Sequence, residues 1–218
     1  MSIIGEKYGI QGFLGAVSKS GGMATSNMYA VEFKNISDNL RKNFVKPGFS
    51  QFTQGSAYEF LTLLCEEASL PGMQAMTGST TGVHMGEGTV NYAHTKSFTD
   101  ITLGWTCDAN MVPLKFVNAW MGFIFGDDAS TTKEAASYRI NRVQYPEDYQ
   151  CQIVITKAER GKKNPLGRVS GIYTLYDAFP YSIQSTPISY GATTLLKVSA
   201  SFYFRRWAFD SKNIYNNK

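Results

Sequence analysis

The sequence predicts a mainly β fold, an antiparallel β-sandwich or open barrel with one flanking α-helix. Most of the chain consists of short segments in which apolar and polar side chains alternate, as they do along half-buried strands. One long segment instead repeats its apolar residues at spacings of three and four. Neither an internal repeat nor an interdomain linker interrupts the 218 residues, so we expect a single domain over residues 1–218.

The strand-like segments follow one another along most of the chain. In order they are MYAVEF (28–33), YEFLTLLCEEASLPG (58–72), GTVNYAH (88–94), SFTDITLGWTCD (97–108), YRINRVQYPEDY (138–149), CQIVITKA (151–158), VSGIYTLYDAF (169–179) and TTLLKVSASFYFRRW (193–207). We expect the second to be one long strand that ends at Pro71 and Gly72. One face of the last carries Leu196, Val198, Ala200, Phe202 and Phe204.

The predicted helix covers MVPLKFVNAWMGFIFGD, residues 111–127. Its first apolar stripe consists of Leu114, Val117, Met121 and Ile124. Pro113 suits a first helical turn and Gly126 suits the end of the helix. Phe116, Trp120 and Phe123 lie off that stripe. A helix with apolar residues on more than one face is predicted to be covered on two sides.

Three polar, Gly-rich segments show no sustained periodicity. They are residues 1–27, 34–57 and 73–88, and we expect them to become ordered on assembly. The first is predicted to be an extended N-terminal arm, and residues 208–218 a loose C-terminal tail. Charged residues make up only 17% of the chain, against about 25% in ordinary soluble domains. Such a composition favours a chain whose surface a partner covers.

The sequence contains no motif that predicts an enzyme, a cofactor site or a metal site. Cys65, Cys107 and Cys151 have no metal-ligand or disulfide spacing, so we interpret them as small buried hydrophobes of a reducing compartment. Neither His84 nor His94 has a second ligand at metal-binding spacing. No signal peptide or membrane-spanning run is apparent, which predicts a soluble protein made in the cytosol.

The order of the strongest segments resembles a known family. A Leu70-Pro71-Gly72 turn closes one strand. Phe98, Asp100 and Ile101 then open a strand that runs into the helix with Phe116 and Trp120, and an aromatic–Pro strand end precedes the strand ending at Trp207. Over roughly residues 25–207 this pattern is similar to the tail tube proteins of contractile-tailed, T4-like bacteriophages.

The resemblance implies a structural virion protein without enzymatic activity or cofactor. Six copies would form a ring, and the rings would stack into a hollow tube inside a contractile sheath. Genomic DNA would pass down the lumen during ejection without sequence-specific binding. The implied partners are other copies, the tail sheath protein, and baseplate and tail-terminator proteins. The protein would be made in the host cytoplasm and reside in the virion tail.

The segment DAFPYSIQSTPISYG, residues 177–191, is a candidate contact between subunits. Pro180 and Pro187 fix φ and remove backbone donors, and Tyr181 and Tyr190 offer rigid aromatic area. A simple turn between strands is the other interpretation of this segment. We also predict that Tyr203, Arg205 and Arg206 of the final strand belong to this interface.

Tube lumens in the resembled family tend to be acidic, whereas this chain has a net charge of +4. Its acids would therefore have to be segregated toward the lumen. The candidates are Glu66, Glu67, Asp100, Glu147 and Asp148.

Two other functions remain open at this point. The long terminal segments exceed the minimal family pattern, which favours a specialised ring at one end of the tube, either an initiator in the baseplate or a terminator. A β-sandwich module that binds or hydrolyses carbohydrate is the third possibility. It requires exposed aromatic side chains, such as Trp105 or Trp207, on one face of a sheet.

Overall fold

A computed structural model describes residues 9–44, 61–82, 88–126, 143–159, 168–184, 188, 190–191 and 195–210. The strands are β1 (Tyr29–Lys34), β2 (Cys65–Ala68), β3 (Met73–Thr81), β4 (Thr89–Phe98), β5 (Ile101–Thr106), β6 (Cys151–Glu159), β7 (Arg168–Ile183), β8 (Lys197–Tyr203) and β9 (Arg206–Asp210). The helices are α1 (Ile10–Ser20), α2 (Asp38–Phe44), α3 (Val112–Ile124) and α4 (Pro146–Tyr149). The mainly β fold predicted from the sequence is confirmed.

Seven strands form one open sheet. Its order is β1-β6-β7-β8-β5-β2, and β9 pairs with β7 beside this path. Strand β5 lies antiparallel between β2 and β8, and β7 lies antiparallel to β8. Strands β3 and β4 form a separate antiparallel hairpin. Among the described strands the large sheet stays open and does not close into a barrel.

The chain forms two compact units. The smaller comprises Met1–Ala30, Thr156–Ile172 and Phe209–Lys218, and the larger comprises Val31–Ile155 and Tyr173–Ala208.

The core of the larger unit is a cluster of aromatic rings around α3. The ring of Phe33 lies 5.3 Å from that of Phe116 and 5.9 Å from that of Trp120. Phe202 of β8 lies 5.9 Å from Trp120, while Phe44 of α2 lies 4.9 Å from Phe116. Both the sheet and α2 thus pack on α3, which confirms the prediction of a helix covered on two sides.

The ends of α3 follow local chemistry. Asp108 accepts a hydrogen bond from the backbone N of Val112 through Oδ1, at 2.7 Å. This bond satisfies one of the amides that a first helical turn leaves open. Pro113 lies in that turn, where no donor is required. After the helix, Gly126 has a φ of +69°, a conformation that terminates helices at low cost for glycine.

The predicted apolar face of β8 is also confirmed. Val198, Ala200 and Phe202 are buried. In the pairing with β5, Phe202 lies opposite Ile101 and Ala200 opposite Leu103, both of which are buried as well. Alternation along the two strands therefore places one apolar face of the sheet in the core.

In the smaller unit, the segment after α1 is joined to β6. The backbone N of Ala158 donates to the backbone O of Met28 at 2.9 Å. Ser170 of β7 donates through Oγ to the backbone O of Lys157 at 3.1 Å. These hydrogen bonds hold the end of β6 between β7 and the segment that leads into β1.

The single long strand predicted for residues 58–72 is wrong. Residues 61–64 are helical, and strand β2 begins only at Cys65. Leu61 is buried, and Thr62 donates through Oγ1 to the backbone O of Val31 at 2.7 Å. Leucine is a good helix former, and a short apolar run does not distinguish helix from strand by periodicity.

Three further expectations about irregular segments are wrong in part. The N-terminal arm contains α1, residues 34–57 contain α2, and residues 73–88 contain β3. Pairing with β4 satisfies the backbone of β3, which its Gly- and Thr-rich composition did not indicate. Residues 1–8, 45–57 and 83–87 lie outside the described residues.

In the last third of the chain, the structure differs from two further predictions. Residues 146–149 form the short helix α4 rather than a strand, because Pro146 is preorganised for a first helical turn. Residues 208–210 of the predicted loose tail belong to β9, where pairing with β7 orders them. Residues 138–142 and 211–218 lie outside the described residues.

Candidate interaction surfaces

Two tyrosines stack on the surface where β7 and β8 pair. The rings of Tyr181 and Tyr203 have centroids 3.9 Å apart and planes 18° apart, and the side chains remain 37% and 49% exposed. The hydroxyl of Tyr181 donates to Oδ2 of Asp100. This hydrogen bond to a carboxylate, with a smaller effect of burial, raises the pKa of Tyr181 above its usual range. The pair is therefore held in place by Asp100 while one side of it faces solvent.

Two arginines follow directly after this pair. Arg205 forms an ion pair with Asp177 (Nε to Oδ2, 2.5 Å), and its backbone N donates to the backbone O of Tyr176 at 3.0 Å. Asp177 has a φ of +57°, the left-handed region that aspartate tolerates better than most residues. The guanidinium of Arg206 lies 4.8 Å from the ring centre of Tyr176, within cation–π range.

We call the group of Tyr181, Tyr203, Arg205 and Arg206 the Tyr–Arg corner. All four lie on the larger unit, but the structure brings only the two tyrosines into contact, because Arg205 and Arg206 contact Asp177 and Tyr176 instead. Tyr190 is fully exposed. The remaining two predicted interface residues are the prolines. Pro180 is buried opposite Phe202, so its ring offers no exposed contact area, and Pro187 lies outside the described residues.

The predicted lumen acids lie at three separate places. Glu66 accepts hydrogen bonds from Nζ of Lys197 at 2.6 Å and from Oγ1 of Thr106 at 2.7 Å. These two bonds hold the pKa of Glu66 below its usual range. Glu67 lies beside Gly104, where an added Cβ would come within 3.2 Å of the Glu67 Cβ. Both glutamates line a cavity of about 250 Å³ on the polar face of the sheet.

The other acids lie elsewhere on the larger unit. Asp100 precedes β5, whereas Glu66 contacts Thr106 at its end, a separation of roughly 20 Å along the strand. Glu147 is exposed on α4. Asp148 accepts a hydrogen bond through Oδ1 from Nδ2 of Asn39 at 2.8 Å, which joins α4 to α2. Within one chain, these acids do not form a single cluster.

Two exposed apolar surfaces were not predicted from the sequence. The first is the β3–β4 hairpin, which exposes Met73, Met76, Val90 and Tyr92. The second is α1, where Ile10, Phe13 and Leu14 are 80%, 56% and 58% exposed. The sequence of α1 has apolar residues at spacings of three and four, but the six glycines of residues 1–27 favoured a flexible arm. For the hairpin, the alternation of GTVNYAH indicated only one of its two strands.

The tryptophans do not form the exposed platform that carbohydrate binding requires. Trp105 is 1% exposed and belongs to the core. Trp207 is half-buried against Tyr173, with ring centres 5.7 Å apart. The glycan-binding interpretation based on Trp105 is therefore wrong.

The three cysteines differ in burial. Cys151 is buried, whereas Cys65 and Cys107 are half-buried. Burial raises the pKa of Cys65 to about 12 and that of Cys107 above its usual range. Within the described ranges, no group of three or more His, Cys, Asp or Glu side chains is placed to hold a metal ion. None of the described helices is long and apolar enough to cross a membrane.

Solved structures with a similar fold come from contractile assemblies. A chain of the anti-feeding prophage baseplate, 6-fold symmetrised, has a TM-score of 0.54 and 12% identity, over 87% of this chain and 97% of that chain. A chain of the cap that terminates the anti-feeding prophage tube has a TM-score of 0.52 and 12% identity, over 97% and 99%. A chain of the extended sheath–tube complex of an extracellular contractile injection system, PVC, has a TM-score of 0.50 and 11% identity, over 87% and 92%. At such identities the likeness concerns the fold.

Comparison of the amino-acid sequence with known proteins identifies the family. No curated protein matches the chain. Residues 24–210, however, match the family described as phage tail tube protein. This range contains the whole sheet, the hairpin and the Tyr–Arg corner, and it begins after α1. The chain therefore belongs to the phage tail tube protein family.

Proposed function

We propose that this chain is the structural subunit of a contractile tail tube, in which six copies form a ring and the rings stack. The observation that carries the proposal is the β3–β4 hairpin, an element too exposed to be stable without a partner. Membership of the tail tube family supports the role in a tube. The six-fold symmetry of the similar baseplate supports the ring number.

The hairpin consists of strands of nine and ten residues, and all of its residues except Gly78 and Phe98 are exposed. Met73, Met76, Val90 and Tyr92 are each about half exposed, between 49% and 56%. A two-stranded hairpin alone is at best marginally stable in water. Met76, Val90 and Tyr92 share one face of the hairpin, whereas Met73 lies on the other face. Exposed apolar side chains that are grouped on one face of a soluble domain mark interaction surfaces. A second copy that covers the hairpin removes this surface from water.

The Tyr–Arg corner supplies a second, different surface. A closed ring needs a head-to-tail contact between two unlike patches, and an open stack of rings needs a further contact. Tyrosine and arginine are enriched in such interfaces, where the tyrosine ring buries a large rigid area and the arginine guanidinium offers several hydrogen-bond donors. We assign the corner and Tyr190 to contacts between copies, and we keep Pro187 in this interface as a prediction from the sequence.

The lumen assignment of the acids is part of the same proposal. Exposed carboxylates such as Glu67, Asp100 and Glu147 repel phosphates, so that DNA passes without sequence-specific binding. Lys197 neutralises Glu66, which reduces its share of this repulsion. Asp148, tied to Asn39, contributes from α4.

The remaining parts of the proposal concern context. The two units work together as one tail-tube domain over residues 1–218. The chain catalyses no reaction, contacts the tail sheath, baseplate and tail-terminator proteins, and is made in the host cytoplasm before it enters the virion tail. Likeness to a chain of a sheath–tube complex supports these partners.

A specialised ring at one end of the tube is the second candidate. The similar chains of a baseplate and of a tube-terminating cap support it. Quantitative mass spectrometry of purified particles distinguishes the two candidates. Many copies per particle identify the main tube subunit, whereas about six identify an end ring.

Negative-stain microscopy of the purified chain tests the proposal. We expect hollow stacked rings for the parent and their loss in Tyr92→Asp, which places a charge on the apolar face of the hairpin. Asn91→Asp is the matched control, because Asn91 is the exposed neighbour on the opposite face of β4. Monodisperse monomers of the parent at high concentration contradict the proposal.

A further inference from the structure

Helix α1 turns an apolar stripe toward solvent. Ile10, Phe13 and Leu14 are spaced three and four residues apart, so they lie on one face of the helix. All three are exposed, at 80%, 56% and 58%. Lys19, the single charged residue of α1, lies on the opposite face.

This helix needs a packing partner to be stable. It has 11 residues, a length at which isolated helices are marginal in water. Gly12 and Gly15 weaken it further, and its N-cap residue Gly9 makes no side-chain capping bond. An added Cβ at Gly15 would meet nothing within 4 Å, so the helix is open on that side too.

The segment that follows the C-terminal end of α1 is nevertheless held in place by hydrogen bonds. Gly21 and Gly22 end the helix with φ values of +91° and +107°. Three residues later, the backbone N of Thr25 donates to Oε1 and Oε2 of Glu159, at 3.1 and 3.2 Å. Lys157 donates through Nζ to Oε1 of Glu159 at 2.6 Å and to the backbone O of Met28 at 3.2 Å. The helix that carries the stripe is therefore connected to a segment that hydrogen bonds join to β6.

We propose that the stripe of Ile10, Phe13 and Leu14 docks on a second copy of this chain within the assembly, an inference that rests on the proposed function. Helices that bind lipid surfaces carry several Lys and Arg residues on their polar face, and α1 carries one. A strongly charged partner requires complementary charge that α1 lacks. The stripe instead matches the apolar face that each copy carries on its own hairpin at Met76, Val90 and Tyr92.

The size of the stripe determines when it docks. Three partly exposed side chains offer on the order of 300 Å², against about 800 Å² per partner in a stable interface. Docking of α1 alone does not join two copies. It takes place where other contacts already hold copies together at high effective concentration. Helix α1 lies outside the family match of residues 24–210.

Photo-cross-linking of assembled particles tests the inference. The full chain is made with benzoylphenylalanine in place of Phe13, and light and heavy isotope-labelled chains are mixed before assembly. We expect cross-linked peptides that join a light copy to a heavy copy. The same photoreactive residue in place of Lys19 is the matched control, and it should lose these mixed-label products because it lies on the opposite face.

Two outcomes overturn the inference while the proposed function stands. The first is rings with only same-label cross-links, which place the stripe against its own chain. The second is rings with no cross-link above the Lys19 control. Leu14→Lys adds an independent measurement, with an unchanged melting temperature of the free chain and a lower denaturant midpoint for ring dissociation. If the free chain melts earlier, Leu14 packs within its own copy and the inference is wrong. If the parent forms no rings, the proposed function fails as well.

Discussion

Replacing Trp120 by Phe should destabilise the larger unit more than the same replacement of Trp105, by about 2 kcal/mol. Both side chains are fully buried, at 0% and 1% exposure, so the two changes remove similar apolar area from the core. The two tryptophans differ in one hydrogen bond, the one donated by the indole nitrogen. Nε1 of Trp120 donates to the backbone O of Tyr149 at 2.8 Å, whereas Nε1 of Trp105 is buried without a hydrogen-bond partner in the described structure.

The magnitude follows from that difference. Each replacement costs about 1–2 kcal/mol for lost packing of the larger ring. Trp120→Phe additionally leaves the carbonyl of Tyr149 unpaired between α3 and α4, which costs about 1–3 kcal/mol. Trp105→Phe removes a buried donor that is already unpaired, so no such cost arises. We expect a loss of about 2–5 kcal/mol for Trp120→Phe and of about 1–2 kcal/mol for Trp105→Phe.

Urea unfolding of unassembled protein, followed by far-UV circular dichroism, measures both losses. Circular dichroism is preferred because each variant removes a fluorescent tryptophan. Equal m-values for parent and variants are required before the free energies of unfolding are compared. Equal losses for the two variants, or a larger loss for Trp105→Phe, would refute the assigned hydrogen bond.

Two further predictions concern the polar contacts of the larger unit. Asp177→Val should lower the free energy of unfolding about 1–2 kcal/mol more than Asp177→Asn, because a φ of +57° disfavours β-branched side chains; equal urea midpoints contradict this. The lowered pKa of Glu66 means that its bond to Lys197 contributes fully above the unfolded pKa, about 4.3, and is lost as the pH falls through the folded pKa. The difference in melting temperature between Lys197→Met and parent should therefore narrow in acid, and a constant difference contradicts it.

Local pattern was sufficient for the helix and the central strands. In α3, a repeat of three and four residues, a proline in the first turn and a glycine after the end all indicate the same element. In β8, strict alternation identified the face that carries Val198, Ala200 and Phe202 before any partner strand was known. These elements bury a continuous apolar stripe, so periodicity alone identifies them.

Amino-acid composition gave the wrong prediction for two exposed elements, β3 and α1. The sequence of β3, with three Thr, two Met and one Gly in nine residues, resembles a loop because neither of its faces is buried within the chain. Helix α1 contains two glycines and has no buried face, so its propensity is low although its apolar spacing is regular. Both are surfaces that we assign to contacts between copies, which is why rules derived from buried cores did not identify them.

By itself the sequence determined the fold class, the helix that packs on the sheet, and the residue types of the candidate surfaces. Only the tertiary structure decided which of those residues meet. Strand pairing brings Tyr181 to Asp100 across 81 positions and Lys197 to Glu66 across 131, and it buries Pro180 among the predicted contacts. Alternation within a strand specifies which way a side chain points. The register between strands, set by the packing of the whole core, specifies its neighbour.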